Sequence, residues 1–223
     1  MLINSKKELI LLKEGKRVRD TIRDKIDIIK IILNIYTQAF WKIPEDKSDI
    51  KIDIDYQNKN NRIYLYEEPE IRIQTFHTPF VINEVNEEKY IFLENTTIFH
   101  KSIDDGLLSV LKTIFNNIES NDWRFEDFIL ITYEVFKDQL NEELNNDYWN
   151  LIVYLMTFEP GYFRYDYDKE FENEKIHPLN HFDINYDKNA TYKIGLHKGF
   201  TIPMIKDMIN KTTDSRFLEE DIL

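Results

Sequence analysis

The chain has 223 residues, 42% hydrophobic and 31% charged, with 14% aromatics and only five Gly and six Pro. That length and balance build a real hydrophobic core and exclude disordered, collagen-like and linker-dominated chains. The formal net charge of −12 disfavours binding of duplex DNA by bulk charge, and the absence of cysteine removes disulfides, thiolate nucleophiles and thiolate metal sites.

Charge is unevenly placed. Residues 1–30 carry nine basic side chains (Lys6, Lys7, Lys13, Lys16, Arg17, Arg19, Arg23, Lys25, Lys30) against five acidic ones, a net +4 that leaves −16 on the rest. Such a segment meets nucleic acid or an acidic protein partner, or it complements the chain's own acidic surface. No run approaches the ~18 apolar residues of a membrane span; LIVYLM (151–156) is the longest dense stretch, and no signal-peptide core follows the N-terminus. The expectation is a cytoplasmic, soluble protein with no membrane partner.

Ser5-x-x-Glu8 matches a capping box, and Leu11, Val18, Ile22, Ile26, Ile29, Leu33, Tyr36 and Phe40 recur at helical spacing. This predicts a long N-terminal helix, divided near Gly15 and closed by Pro44. From residue 50 the period becomes two: Ile50, Ile52, Ile54 and Tyr56 alternate with charged residues. The stretches 50–56, RIYLY, EIRIQTF (70–76), FVINEV (80–85) and KYIFLE (89–94) predict an antiparallel meander. Ser102-x-x-Asp105 opens a helix with Ile103, Leu107, Val110, Leu111, Ile114 and Ile118 on one face. Further helices are expected over 125–144 and 147–158. Glu159-Pro160-Gly161 is a turn signal, followed by three expected strands (162–168, 181–186, 191–196), a short helix over 202–211 and an acidic tail. The fold class is α+β: one domain over 1–223, with sub-regions 1–45 helical, 46–100 β-meander, 101–158 helical and 159–223 β-rich. Trp41, Trp123 and Trp149 lie on or beside helices, where a core role is expected of them.

The chemistry gathers after residue 160, where three of the five histidines (His177, His181, His197) fall within 21 residues. Strand alternation puts Arg164, Asp166 and Asp168 on one face and Phe163, Tyr165 and Tyr167 on the other. By the same rule His181, Asp183 and Asn185 oppose Phe182, Ile184 and Tyr186, and Thr191, Lys193 and His197 oppose Tyr192, Ile194 and Leu196. The polar faces suit phosphodiester chemistry. His177 and His181 are acid/base candidates. Arg164, Lys193 and His197 are candidates to hold substrate phosphate. Alternatively His181, Asp183 and Asp166 bind a divalent metal, supported by a second carboxylate or His177. The competing expectation is a solvated sheet face, which shows the same alternation.

In His177-Pro178-Leu179-Asn180-His181 the i, i+4 spacing brings both rings to one face, and Pro178 biases His177 to extended backbone at a strand entry. It lacks the Glu of the HExxH zinc motif. The run YFRYDYD, then HPLNHFDINY, then ATYKIGL resembles the C-terminal block of a family of uncharacterised bacterial proteins, some of which sit beside anti-phage defence or toxin–antitoxin genes. The resemblance covers roughly 160–211 and implies a β-rich C-terminal core with His177 and His181 as signature residues. It implies no established activity.

GxGxxG, GxxxxGK[ST] and GxSxG are all absent, which disfavours P-loop, Rossmann and serine-hydrolase chemistry. Asp49-Ile50-Lys51 meets only the last part of a PD-(D/E)xK nuclease pattern. Two functional expectations remain. One is a nuclease or phosphodiesterase of a defence or toxin–antitoxin module. The other is a non-catalytic acidic subunit that docks a protein partner through the basic N-terminal helix around Arg17, Arg19 and Arg23.

Overall fold

The computed structural model describes residues 8–10, 22–41, 50–55, 61–67, 71–85, 88–118, 124–140, 143–187 and 189–214. Within them the chain is α+β, with five helices and nine strands in two antiparallel sheets. The strands are β1 (Glu8–Ile10), β2 (Ile50–Asp55), β3 (Arg62–Glu67), β4 (Arg72–His77), β5 (Phe80–Val85), β6 (Glu88–Leu93), β7 (Phe163–Tyr167), β8 (Asn180–Ile184) and β9 (Tyr192–Leu196). The helices are α1 (Lys25–Trp41), α2 (Asp105–Asn116), α3 (Phe125–Leu140), α4 (Asn146–Thr157) and α5 (Ile202–Met208).

The main sheet has the order β1-β2-β3-β4-β7-β8-β9. The meander holds for β2–β4, but β5 and β6 pair only with each other in a second sheet instead of extending it. β7 takes the place beside β4 after the helical excursion, so one sheet unites what the sequence suggests as two β regions. His77 N donates to Pro160 O at 2.6 Å and Arg62 Nη2 to Gly161 O at 2.7 Å, which ties the returning chain to β3 and β4. Gly161 makes this turn at φ +51°, a conformation where glycine alone carries no Cβ penalty.

The N-terminal expectation is corrected. Glu8–Ile10 is an edge strand antiparallel to β2, so Glu8 does not close a helical capping box, and the described helix α1 spans Lys25–Trp41. Edge pairing with the isoleucine-rich β2 outweighs the local capping signal there. Ser5, Gly15, Arg17, Arg19 and Pro44 lie outside the described residues.

Helix α1 buries Ile28, Ile29, Ile31, Ile32, Leu33, Ile35 and Tyr36, too wide an apolar arc for a surface helix. It packs on α2 and α4. Asp104, not Ser102, caps α2: its carboxylate accepts from Leu107 N at 2.8 Å. Asn145 caps α4, and Phe128, Thr132 and Phe136 turn one stripe of α3 inward. Trp149 packs against this core, 6.2 Å from the Phe128 ring. The large core fills the space between these helices and the β2–β4 face that carries Ile52, Ile54, Ile63, Leu65 and Phe76. A smaller core lies on the other face, where Tyr64, Ile73, Tyr165 and Phe182 meet Ile202 and Ile205 of α5. No helix among the described residues is long and apolar enough to cross a membrane.

Candidate functional site

Register decides what the inner sheet face becomes beyond β4. Leu65 pairs with Gln74, Gln74 with Arg164, Arg164 with Asp183, and Asp183 with Lys193. The next row along the strands is Arg72, Asp166, His181 and Gly195. The face that is apolar under α1 therefore turns polar at Gln74 and continues as a grid of four strands by two rows. Cations and anions alternate across it, the favourable cross-strand arrangement.

The grid satisfies itself. Arg164 Nε donates to Asp166 Oδ2 at 2.7 Å, and its Nη2 donates to Asp183 Oδ2. Arg72 Nε donates to Asp166 Oδ1 at 2.9 Å. Lys193 Nζ lies 2.7 Å from Asp183 Oδ1 and 2.9 Å from His181 Nε2. Tyr162, just before β7, donates its hydroxyl to Gln74 Oε1 at 2.9 Å.

The histidine's tautomer follows from its partners. Its Nδ1 is 2.7 Å from the Pro178 carbonyl, which only accepts, so Nδ1 carries the proton and Nε2 accepts from the Lys193 ammonium. Nε2 also lies 3.7 Å from Asp166 Oδ2 and 3.9 Å from Asp183 Oδ2. Burial, with the nearby Lys193 charge, lowers the His181 pKa against the opposing effect of the Pro178 bond and the two carboxylates. The imidazole is neutral at pH 7. For Asp183 burial acts upward, yet the Lys193 hydrogen bond and the Arg164 and Lys193 charges outweigh it and hold the carboxyl below the ordinary aspartate value. For Arg164 burial acts downward, and Tyr162, Asp166 and Asp183 reverse it.

Arg164, Asp166, His181 and Asp183 are 8, 4, 0 and 4% exposed, so this face is not the solvated sheet surface that alternation alone allows. The loop between β7 and β8 closes over it. Asn173 and His177 pair across that loop, and the His177 ring meets the His181 ring edge-on at 4.6 Å. His177 is thus part of a tight turn, not a strand entry, and its Nε2 lies 3.8 Å from Asp168. Pro178 sits on Gly195: a Cβ there would come within 2.9 Å of Pro178 Cγ. The openings are at the margins, where the side chains of Lys193 and Arg72 are 30 and 33% exposed. A shallow depression lined by Ile50, Leu65, Tyr66, Glu67, Arg72 and Gln74 borders the second of these.

The structure brings Arg164, Asp166, His181, Asp183 and Lys193 together with His177 alongside. It leaves His197 exposed past the end of β9. Sequence reasoning missed Arg72, Gln74, Tyr162 and Gly195. Arg72 and Gln74 occupy the polar positions of EIRIQTF, but only the pairing of β4 with β7 puts them in this row. Asp166, His181 and Asp183 each offer a ligand atom within 4.8 Å of the others, the geometry of a potential metal-binding trio. Comparison with protein-family models, curated proteins and solved structures finds no match for the chain.

Proposed function

We propose that the protein is a nuclease or phosphodiesterase whose chemistry resides in the β4–β7–β8–β9 grid, acting in a bacterial anti-phage defence or toxin–antitoxin module. The observation that carries the chemistry is the packing of an unprotonated imidazole nitrogen, two carboxylates and the cations Arg164 and Lys193 within one hydrogen-bonded patch. The module rests on the resemblance of residues 160–211 alone. In this reading Lys193 and Arg72, the two cations with solvent access, receive the substrate phosphate. Arg164 neutralises charge that develops on it, and His181 Nε2 takes a proton once Lys193 turns toward the phosphate. Asp166 and Asp183 orient these cations and the imidazole.

One observation favours a second reading, a non-catalytic acidic binding subunit. The grid's groups bond to one another under the Pro178 loop, as a structural network would. Phe171 and Ile176 of that loop stand exposed, as do Ile71 and Tyr167, which are joined by a bond from Tyr167 N to Ile71 O. Two lysines of the basic segment are engaged within the chain. Of its described lysines, Lys25 donates to Phe158 O at 2.5 Å and Lys30 to Ile118 O at 3.0 Å.

Growth of a bacterial host expressing wild type beside His181→Asn, with cellular RNA and DNA resolved on gels, tests the choice. Toxicity or nucleic-acid loss confined to wild type, with both proteins folded, is the expected result. Intact nucleic acid and equal growth in both favour the binding subunit.

A further inference from the structure

We infer that Asp166, His181 and Asp183 are the ligands of an exchangeable divalent-metal site whose place Lys193 holds, and that a phosphate-bearing ligand binds together with the metal. The phosphate half rests on the phosphodiesterase reading, with His181 Nε2 a ligand in the metal-loaded site in place of the proton acceptor it is in the metal-free one; the metal half rests on geometry alone.

Three features support the metal half. The Nδ1–H bond to the Pro178 carbonyl leaves the Nε2 lone pair for a cation, now Lys193, and metal-ligating imidazoles make the same outer bond. The Nε2 to carboxylate separations are 3.7 and 3.9 Å. Metal–ligand bonds of about 2.1 Å give polyhedron edges of roughly 3.0–3.5 Å, so the imidazole and each carboxylate need to close by about half an ångström, within a trio whose atoms all lie within 4.8 Å of one another. Finally, the Lys193 ammonium already bonds His181 Nε2 and Asp183 Oδ1, so a cation sits against two of the three ligands.

Lysine and arginine differ in their freedom to leave. Lys193 is on the edge strand β9 with its side chain 30% exposed, and an unbranched stem lets the ammonium swing to water. Arg164, 9% exposed, is bonded to both carboxylates and stays. One imidazole with two carboxylates suits Mn²⁺ or Zn²⁺.

Charge then brings in the anion. With Lys193 in place, two carboxylates face Arg72, Arg164 and one ammonium. With the metal in its place they face Arg72, Arg164 and a divalent ion, and buried charge needs a counter-charge. A phosphate at the margin supplies it, and the displaced Lys193 is positioned to hold that phosphate. Metal and phosphate each tighten the other, by linkage.

The test is calorimetric titration of Mn²⁺ into the chelator-treated full chain, with and without thymidine 5′-monophosphate. Wild type is expected to bind one Mn²⁺, at least fivefold more tightly with the nucleotide. Asp183→Asn weakens binding at least tenfold. Lys193→Met, which removes the resident cation, tightens it at least tenfold and regains on adding Mn²⁺ the thermal stability it loses without it. Should Asp183→Asn fail to fold, the Lys193→Met result decides. No Mn²⁺ or Zn²⁺ binding by wild type, or no tightening in Lys193→Met, overturns the inference. Phosphodiester turnover without metal binding overturns it while sparing the phosphodiesterase reading. Metal binding that the nucleotide leaves unchanged overturns the phosphate half and leaves the metal half standing.

Discussion

Gly195→Ala tests whether Pro178 really seals the grid. Gly195 lies opposite His181 in the β8–β9 register, and its φ is not in the positive region, so alanine suits the backbone. Alone, that change would stabilise by about 0.4–1 kcal/mol through the unfolded chain. The new methyl, however, would stand 2.9 Å from Pro178 Cγ and 3.3 Å from its Cβ, against a rigid ring and not the end of a flexible side chain. Overpacking of this kind costs about 1–3 kcal/mol. If the loop yields, the His181 Nδ1–Pro178 bond goes too, at about 1 kcal/mol. The net loss is about 1–3 kcal/mol, a fall in Tm of roughly 3–10 °C for a chain of this size. Thermal melts of wild type, Gly195→Ala, Pro178→Ala and the double variant form a cycle. Pro178→Ala removes Cγ, so the double variant should be more stable than the sum of the singles predicts, by about 1 kcal/mol. A Gly195→Ala protein as stable as wild type, or more stable, would refute the packing and with it the sealed grid.

Further expectations concern the charges. Asp183→Asn removes a carboxylate partner of the buried Arg164 and should cost about 3 kcal/mol in urea unfolding; a loss under 1 kcal/mol would show that the network is not a unit. The Asp183 pKa is depressed, so its contribution is complete above the unfolded value of 3.8 and is lost as pH falls through the lower folded value. Acid unfolding should therefore be less steep in Asp183→Asn. Tyr162 has its pKa pushed up to about 12 by burial, which makes the opposite case. The folded state keeps a proton that the unfolded chain releases, so stability falls from about pH 10 to about pH 12, and Tyr162→Phe should flatten that slope. Asp104→Ala removes the α2 cap and should cost about 1 kcal/mol by the same urea assay.

Period and turn chemistry made much of this legible. The two-residue alternation of YFRYD, HFDI and YKIGL correctly separates Tyr165 and Phe182, which meet α5, from Arg164, Asp166, His181 and Asp183. Alternation says which residues share a face and not what covers it, so the burial of the polar face needed the loop from Asp168 to His177. The pairing of β4 with β7 spans the whole helical region, and no local pattern encodes it; Arg72 and Gln74 stayed invisible for that reason. Glu8–Ile10 shows the reverse failure, a local capping-box signal overridden by an available sheet edge. His197 fell outside because β9 ends at Leu196, one residue before alternation would have turned its side chain into the grid.

The most direct measurement is hydrolysis of a bis-aryl phosphodiester by purified protein with Mn²⁺ or Zn²⁺, comparing wild type with His181→Asn at matched circular dichroism. His181 Nε2 is the proton acceptor of the metal-free site, a role worth about 10²–10⁴-fold, or a ligand of the metal-loaded one, so turnover by wild type and a loss of at least about 100-fold in the variant are expected. Equal rates in the two proteins, or none in wild type with either ion, would contradict the account.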